Sequence, residues 1–259
     1  MENQNPPTKA SSNLRKGIFL LPNLFTTGAL FAGFYAIIAG IKGNFDSAAI
    51  AIFLAMLLDG LDGRVARMTN TQSAFGAEYD SLSDMASFGV APALVMYQWS
   101  LFHFATISPF MGKIGWLVAF IYTASAALRL ARFNTQIGTA DKRYFQGLAS
   151  PAAAGVVVGF IWVCEFFDIH GTDVMFPALV ITLTAGLLMV SRFSYYSFKD
   201  FDLKKRVPFI AVLVVLLVFV VLSSQPPSAL FIIFFLYMIS GPIIGLFRWL
   251  RKRRKVAAQ

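Results

Sequence analysis

Apolar residues run through the chain in long blocks separated by short polar or basic connections. Eight blocks lie near the length needed to cross hydrocarbon, roughly 20 residues as a helix. They span about 18–41, 47–66, 79–103, 113–133, 151–167, 174–190, 207–222 and 229–246. None shows the alternation over about ten residues that marks a barrel strand, and an isolated open strand in lipid would leave its backbone groups unpaired. The pattern predicts an all-α, polytopic membrane helix bundle with eight transmembrane helices. The polar stretch before Leu14, with Pro6-Pro7, reads as a disordered tail. The block that follows is too long for the apolar core of a cleavable signal peptide, and no small-residue cleavage site follows it, so it is expected to stay as the first span.

Composition agrees. The chain of 259 residues is 57% hydrophobic with 27 Phe, and its mean hydropathy is +0.67; a soluble domain would be about 45–50% apolar. The formal net charge of +9 could point to nucleic acid, but the basic residues sit between apolar blocks. With both termini on the cytoplasmic side, 20 of the 22 Lys and Arg fall on that side and only Lys42 and Lys113 on the other. The excess of basic residues facing the cytoplasm sets the orientation, and no nucleic-acid partner is expected. Arg251 to Lys255 read as a topology anchor that could also touch anionic lipid. Cys164, the single cysteine, can form neither an internal disulfide nor a thiolate metal site and reads as a buried small apolar residue. His103 and His170 fall on the outer side and read as interfacial or loop residues. Trp99, Trp116 and Trp162 lie near span ends, where an aromatic belt is expected.

The chemistry is concentrated in LDGLDGRVARMTNTQSAFGAEYDSLSD, residues 58–84. Asp59 and Asp62 are three apart at the end of the second span; Asp80 and Asp84 are four apart at the opening of the third. Both spacings place a pair of carboxylates on one helix face. The short polar connection makes the two helices antiparallel neighbours, so all four acids can converge near the cytoplasmic surface. One or two of them could instead cap a helix or pair with Arg64 or Arg67. Four on a common face at a membrane edge need a different account, because intramembrane ionisable groups are costly and by default functional. Oxygen ligands without His or Cys favour a hard cation, Mg²⁺, Mn²⁺ or Ca²⁺, and two such ions could clamp the attacking and leaving oxygens of a phosphoryl displacement. Gly60, Gly63 and Ala66 leave a strip of the second helix without bulk. It could admit a phosphorylated group to the backbone or serve close helix packing. Arg67 borders that strip and could pair with a phosphate or a carboxylate.

The run Asp59-x2-Asp62-Gly63-x2-Ala66-Arg67-x8-Gly76-x3-Asp80-x3-Asp84 resembles the signature of the CDP-alcohol phosphotransferases at every fixed position. The resemblance implies transfer of a phosphatidyl or similar group from a CDP-linked donor to an alcohol, with release of CMP. It implies that Asp59, Asp62 and Asp80 ligate one or two divalent cations. Asp84 would be the general base, and could also touch a metal. Gly63, Ala66 and Arg67 would lie along the nucleotide, with Asn23 and Thr26 at its cytidine and phosphate end. It also implies a six-helix catalytic core and a homodimer. The domain reading is then a cytoplasmic tail at 1–13, a core at 14–206, two added C-terminal spans at 207–250 and a basic tail at 251–259. Pro22 suits a helix beginning.

Further stretches resemble the membrane-spanning branch of the phosphatidylserine synthases: LPNLFT from Leu21, SLSDMASFGVAP from Ser81, ALRLARFN from Ala127, YFQGLASPAAA from Tyr144 and SRFSYYSFK from Ser191. Ala149 departs from the more common proline. This resemblance implies CDP-diacylglycerol as donor, L-serine as acceptor and a bacterial inner membrane as the site of action. Glycerol 3-phosphate, inositol phosphate or choline are the other acceptors of the same chemistry. A divalent-cation transporter is a remoter reading, against which the second half carries no counterpart to the acids. A serine carboxylate calls for an arginine partner, which singles out Arg129 and Arg132, with Lys142 and Arg143 beside them for donor phosphate. All four could equally be topology anchors. Arg192, Tyr196 and Lys199 are weaker candidates for the rim.

Overall fold

The computed structural model describes residues 9–69, 71, 73–135, 144–196 and 224–256. Lys142, Arg143, Lys199 and the span expected at 207–222 lie outside the described residues.

The first helix, α1 (Lys9–Ile41), carries Pro22 inside it rather than at its beginning. A proline removes one helical donor, yet the helix continues through it. The segment apolar enough to cross a membrane is Pro22–Ile41. Gly43, at φ +76°, turns the chain back into α2 (Phe45–Thr69). The two helices form the most extensive helix pair of the bundle. Both helices bury small side chains, Ala29, Ala32, Ala36 and Ala39 on α1 and Ala48, Ala49, Ala51 and Ala55 on α2. Small residues let helix backbones approach closely where no water drives association.

The predicted third span is composite. It comprises α3 (Ala74–Asp84), a π-helical turn (Met85–Val90), α4 (Ala91–Trp99) and a 3₁₀ turn (Leu101–Thr106). The π turn has a sequence cause. Pro92 has no N–H to offer the Phe88 carbonyl four residues back, so the ladder widens and the Ala91 N–H reaches back to Ala86. The stranded Phe88 carbonyl accepts instead from the Tyr122 hydroxyl at 3.0 Å, a side chain that is fully buried.

Tyr122 belongs to α5 (Pro109–Thr135), which is long and apolar enough to span; α6 (Ser150–Phe166) and α7 (Met175–Val190) are shorter apolar helices, and α8 (Pro226–Val256) contains a third spanning segment, Pro226–Phe247. The described part of the chain is thus an all-α membrane protein with one exception. The connections after α5 and α7 form a two-stranded antiparallel ribbon, β1 (Tyr144–Gln146) with β2 (Ser194–Tyr196), pairing Phe145 with Tyr195. Three-residue strands carry too few positions for a period-two pattern, so a purely helical expectation missed them. Gly147 follows at φ +78°, and a side chain there would run into the Met189 carbonyl.

Trp99 corrects the aromatic-belt expectation. It is only 3% exposed, and its indole N–H donates to Glu165 Oε1 at 2.6 Å. The hydrogen bond removes the need for an aqueous partner that draws tryptophan to the interface. Trp116 is exposed, as a belt residue would be, while Trp162 packs on Phe53. Cys164 is buried and unpaired. His103 lies in the 3₁₀ turn and His170 between α6 and α7, both at the end of the bundle away from the acids.

Candidate active site

Four residues separate α2 from α3, and local hydrogen bonds define the corner. The Thr71 N–H closes the end of α2 on the Ala66 carbonyl at 3.1 Å. Ser73 is the N-cap of α3, its hydroxyl accepting from the Gly76 N–H at 3.0 Å; a side-chain oxygen here satisfies a donor that the first helical turn leaves free. Along α3 and into the π turn, Tyr79, Ser83 and Ser87 recur every fourth residue and tie that face to α1. Tyr79 meets the Thr27 hydroxyl at 2.9 Å, Ser83 donates to the Thr26 carbonyl at 3.1 Å, and Ser87 donates to the Ala29 carbonyl at 3.1 Å. Asp80 and Asp84 stand one position further round, about 100° on a helix, which turns them to α2.

There the predicted constellation assembles. One carboxylate oxygen from each of Asp59, Asp62 and Asp80 lies within 4.8 Å of the others. Asp84, one turn further along α3, comes within hydrogen-bonding reach of Asp59. A carboxylate has nothing to donate, so acids this close need cations or protons between them. Two of the oxygens, Asp80 Oδ1 and Asp84 Oδ1, are buried without a hydrogen-bond partner. Orphaned carboxylate oxygens in an all-oxygen cluster fit a hard divalent cation. Asp62, only 6% exposed, is oriented by the Thr26 hydroxyl, which donates to its Oδ2 at 2.7 Å.

A cavity of about 220 Å³ opens beside the acids. Asp62 and Asp80 contribute to its wall, as do Asn23, Thr26, Gly63, Ala66 and Arg67, so every residue that the resemblance placed along the nucleotide faces one space. The small-residue strip is open rather than packed. A Cβ at Gly60 would meet nothing within 4 Å, and one at Gly63 only Arg67 Nη1 at 4.0 Å. Thr71, Ser73 and Ala77 also line the cavity and were not singled out from the sequence. The capping serine before α3 was the one local signal that could have found the corner.

The basic candidates are divided. Arg129 is within electrostatic reach of Asp84, but its Nη1 lies 3.3 Å from both the Gln146 and the Gly147 carbonyl. Arg132 donates to the Val190 carbonyl at 3.1 Å. Both therefore brace the ribbon and the end of α7. Arg192 is exposed.

The family model for CDP-alcohol phosphatidyltransferase matches residues 19–191. A CDP-diacylglycerol–serine O-phosphatidyltransferase of Helicobacter pylori is 39% identical over 240 residues, covering 90% of this chain and 92% of its own. A protein of the same name from Mycobacterium bovis is 37% identical over 184 residues, 68% of this chain and 61% of its own. An archaetidylserine synthase of Methanothermobacter thermautotrophicus is 34% identical over 178 residues, 68% and 69%. The matched segment starts within α1, four residues before Asn23, runs through all four acids and stops at Ser191, three residues before β2 begins. The chain belongs to the CDP-alcohol phosphatidyltransferase family.

Proposed function

We propose that the protein transfers the phosphatidyl group of CDP-diacylglycerol to the hydroxyl of L-serine, giving phosphatidylserine and CMP. The observation that carries this reading is the convergence of Asp59, Asp62 and Asp80 on one point, beside a cavity walled by the small and polar residues of the same motif. The serine-specific names of relatives that align with most of the chain support the acceptor.

Asp59, Asp62 and Asp80 hold divalent cations, Mg²⁺ or Mn²⁺ and two in number, with Asp84 able to join them. When bound, such ions offset charge on the diphosphate and on the leaving group. The open backbone at Gly60 and Gly63 admits the diphosphate. Arg67 pairs with a phosphate at the cavity wall, and Asn23 faces the nucleotide. Thr26 keeps Asp62 turned toward the site. Asp84 accepts the proton of the serine hydroxyl. The serine oxygen then bonds to the phosphorus that carries the diacylglycerol, the bond from that phosphorus to the bridging diphosphate oxygen breaks, and CMP departs with that oxygen. Arg129, within electrostatic reach of Asp84, provides positive charge on the acceptor side. Lys142 and Arg143 are assigned to donor phosphate on sequence grounds.

The same reading places eight spans in the membrane, the site and both termini at the cytoplasmic face of a bacterial inner membrane, a catalytic core at 14–206 and a homodimer. Purified protein incubated with CDP-diacylglycerol, Mn²⁺ or Mg²⁺ and each acceptor alcohol in turn tests it. CMP release with serine is the expected result. Release with glycerol 3-phosphate or another alcohol but not serine would move the acceptor assignment, and no release with any alcohol would end the enzyme reading.

A further inference from the structure

The family match stops at residue 191, yet the following segment is locked into α8, and α8 into the core. On α6, Gly155 and Gly159 form a seat for two α8 phenylalanines: a Cβ at Gly155 would fall 2.7 Å from the Phe234 ring and one at Gly159 would fall 3.2 Å from the Phe231 backbone. On α8 the arrangement is repeated in reverse. Gly241 lies flat against the Tyr195 ring, and a Cβ at Gly245 would fall 2.7 Å from the Phe193 ring. Phe193 and Tyr195, two apart, present the same side of β2 to α8. Tyr195 is fully buried; its hydroxyl donates to the Met238 carbonyl at 2.9 Å, and its ring lies 5.4 Å from that of Tyr237.

The ribbon is also tied to Arg129. Gln146 of β1 pairs with Ser194 of β2, and the Gly147 N–H donates to the Phe193 carbonyl at 2.8 Å. The carbonyls of Gln146 and Gly147 are those that hold Arg129, and Arg129 lies within electrostatic reach of Asp84, Tyr195 and Tyr237. A continuous chain of contacts therefore runs from α6 through α8, Tyr195 and the ribbon to Arg129, which is within electrostatic reach of Asp84.

We infer that α8 is a positioning element of the catalytic unit, and that Tyr195 on its Gly241 seat sets the position of Arg129 at the acceptor side of the site. This rests on the proposed reaction for the word acceptor, though not for the mechanical link. The donor cavity is lined from α1, α2, α3 and the α2–α3 corner, and no residue named in that link lines it. Loosening α8 should consequently weaken acceptor binding and spare donor binding. In this picture the segment beyond the family match tunes which alcohol is accepted.

Two variants break the link at different points: Tyr195→Phe removes the hydroxyl bonded to Met238, and Gly241→Leu fills the seat of the ring. Leu236→Ala is the control, on the same helix but 62% exposed on its outer face. For each full-length variant, KM is measured separately for CDP-diacylglycerol and for whichever alcohol drives CMP release. Hydrogen exchange is followed in peptides covering 144–149 and 191–196. The expected result is faster exchange in both ribbon peptides, an acceptor KM raised about tenfold or more, and a donor KM within twofold of wild type, with Leu236→Ala unchanged throughout. Unaltered ribbon exchange in Gly241→Leu would overturn the mechanical link. An equal rise in both KM values, or an equal effect of Leu236→Ala, would reduce α8 to a general stabiliser. Failure of the reaction assignment reads differently: serine does not drive release in the wild type, while the exchange result still decides the link.

Discussion

Thr26→Val isolates the hydroxyl that orients Asp62. The substitution keeps the branched shape of the side chain and removes one donor, 2.7 Å from a carboxylate oxygen on a residue that is 6% exposed. A hydrogen bond to a charged group contributes about 1.5–3 kcal/mol, which corresponds to roughly 10–150-fold in an equilibrium constant. Loss of such an orienting partner behind a metal ligand costs about 10–100-fold in metal affinity, so the two routes to the number agree. The assay is CMP release at saturating substrates as a function of Mn²⁺ and of Mg²⁺. The half-saturating metal concentration should rise by about 10–100-fold, with most of the rate recovered at high metal. Thr26→Ser, which retains the hydroxyl, should stay near wild type. If Thr26→Val shows an unchanged metal requirement, Asp62 is either oriented by something else or is no ligand, and the metal cluster as drawn is wrong.

Asp84→Asn should keep metal and donor binding, read by protection against thermal denaturation with CDP and Mn²⁺, and lose about 10²–10⁴ in turnover; normal turnover would remove Asp84 as the base. Gly63→Leu should raise the donor KM sharply without lowering the melting temperature, because its side chain would enter a cavity rather than a packed seam. A lower melting temperature instead would show that this glycine serves helix packing. Gly60→Ala, with open space around it, should be neutral or stabilise by about 0.5–1 kcal/mol in a thermal melt, since alanine holds a helix better than glycine. Tyr122→Phe strands the Phe88 carbonyl and should destabilise the solubilised protein by about 1–2 kcal/mol; equal stability would mean that this carbonyl has another donor.

The sequence conveyed most of the bundle because span length and apolarity are local quantities. The helices follow the apolar blocks to within a few residues at α2, α5, α6 and α7. The convergence of the acids was equally legible, because spacings of three and four on two helices joined by a short corner leave little freedom in where Asp59, Asp62, Asp80 and Asp84 can go. What stayed hidden depends on pairings between distant segments. Thr26 was read as a nucleotide contact; it lines the cavity, and its hydroxyl also reaches Asp62, a partner fixed only when α1 and α2 pack. Trp99 looked like a belt residue until Glu165 was brought to it from 66 positions away. Arg129 and Arg132 were weighed as substrate ligands or anchors, and each also holds backbone carbonyls of a later segment. The ribbon itself arises from two connections that become neighbours only after α5, α6 and α7 have packed.

The π turn between Asp84 and Pro92 separates two jobs that a regular helix would couple. One residue of extra winding offsets the part that bears Asp80 and Asp84 from the part that packs into the core by about 100° of rotation. Shortening 85–90 by a single residue would remove the extra winding while leaving every motif residue in the chain, and it would swing both acids away from Asp59 and Asp62. The length of this turn is thus a phase setting. It lets the core face of α4 drift through substitution without dragging the direction of the carboxylates along, and it makes deletions here far more damaging than replacements.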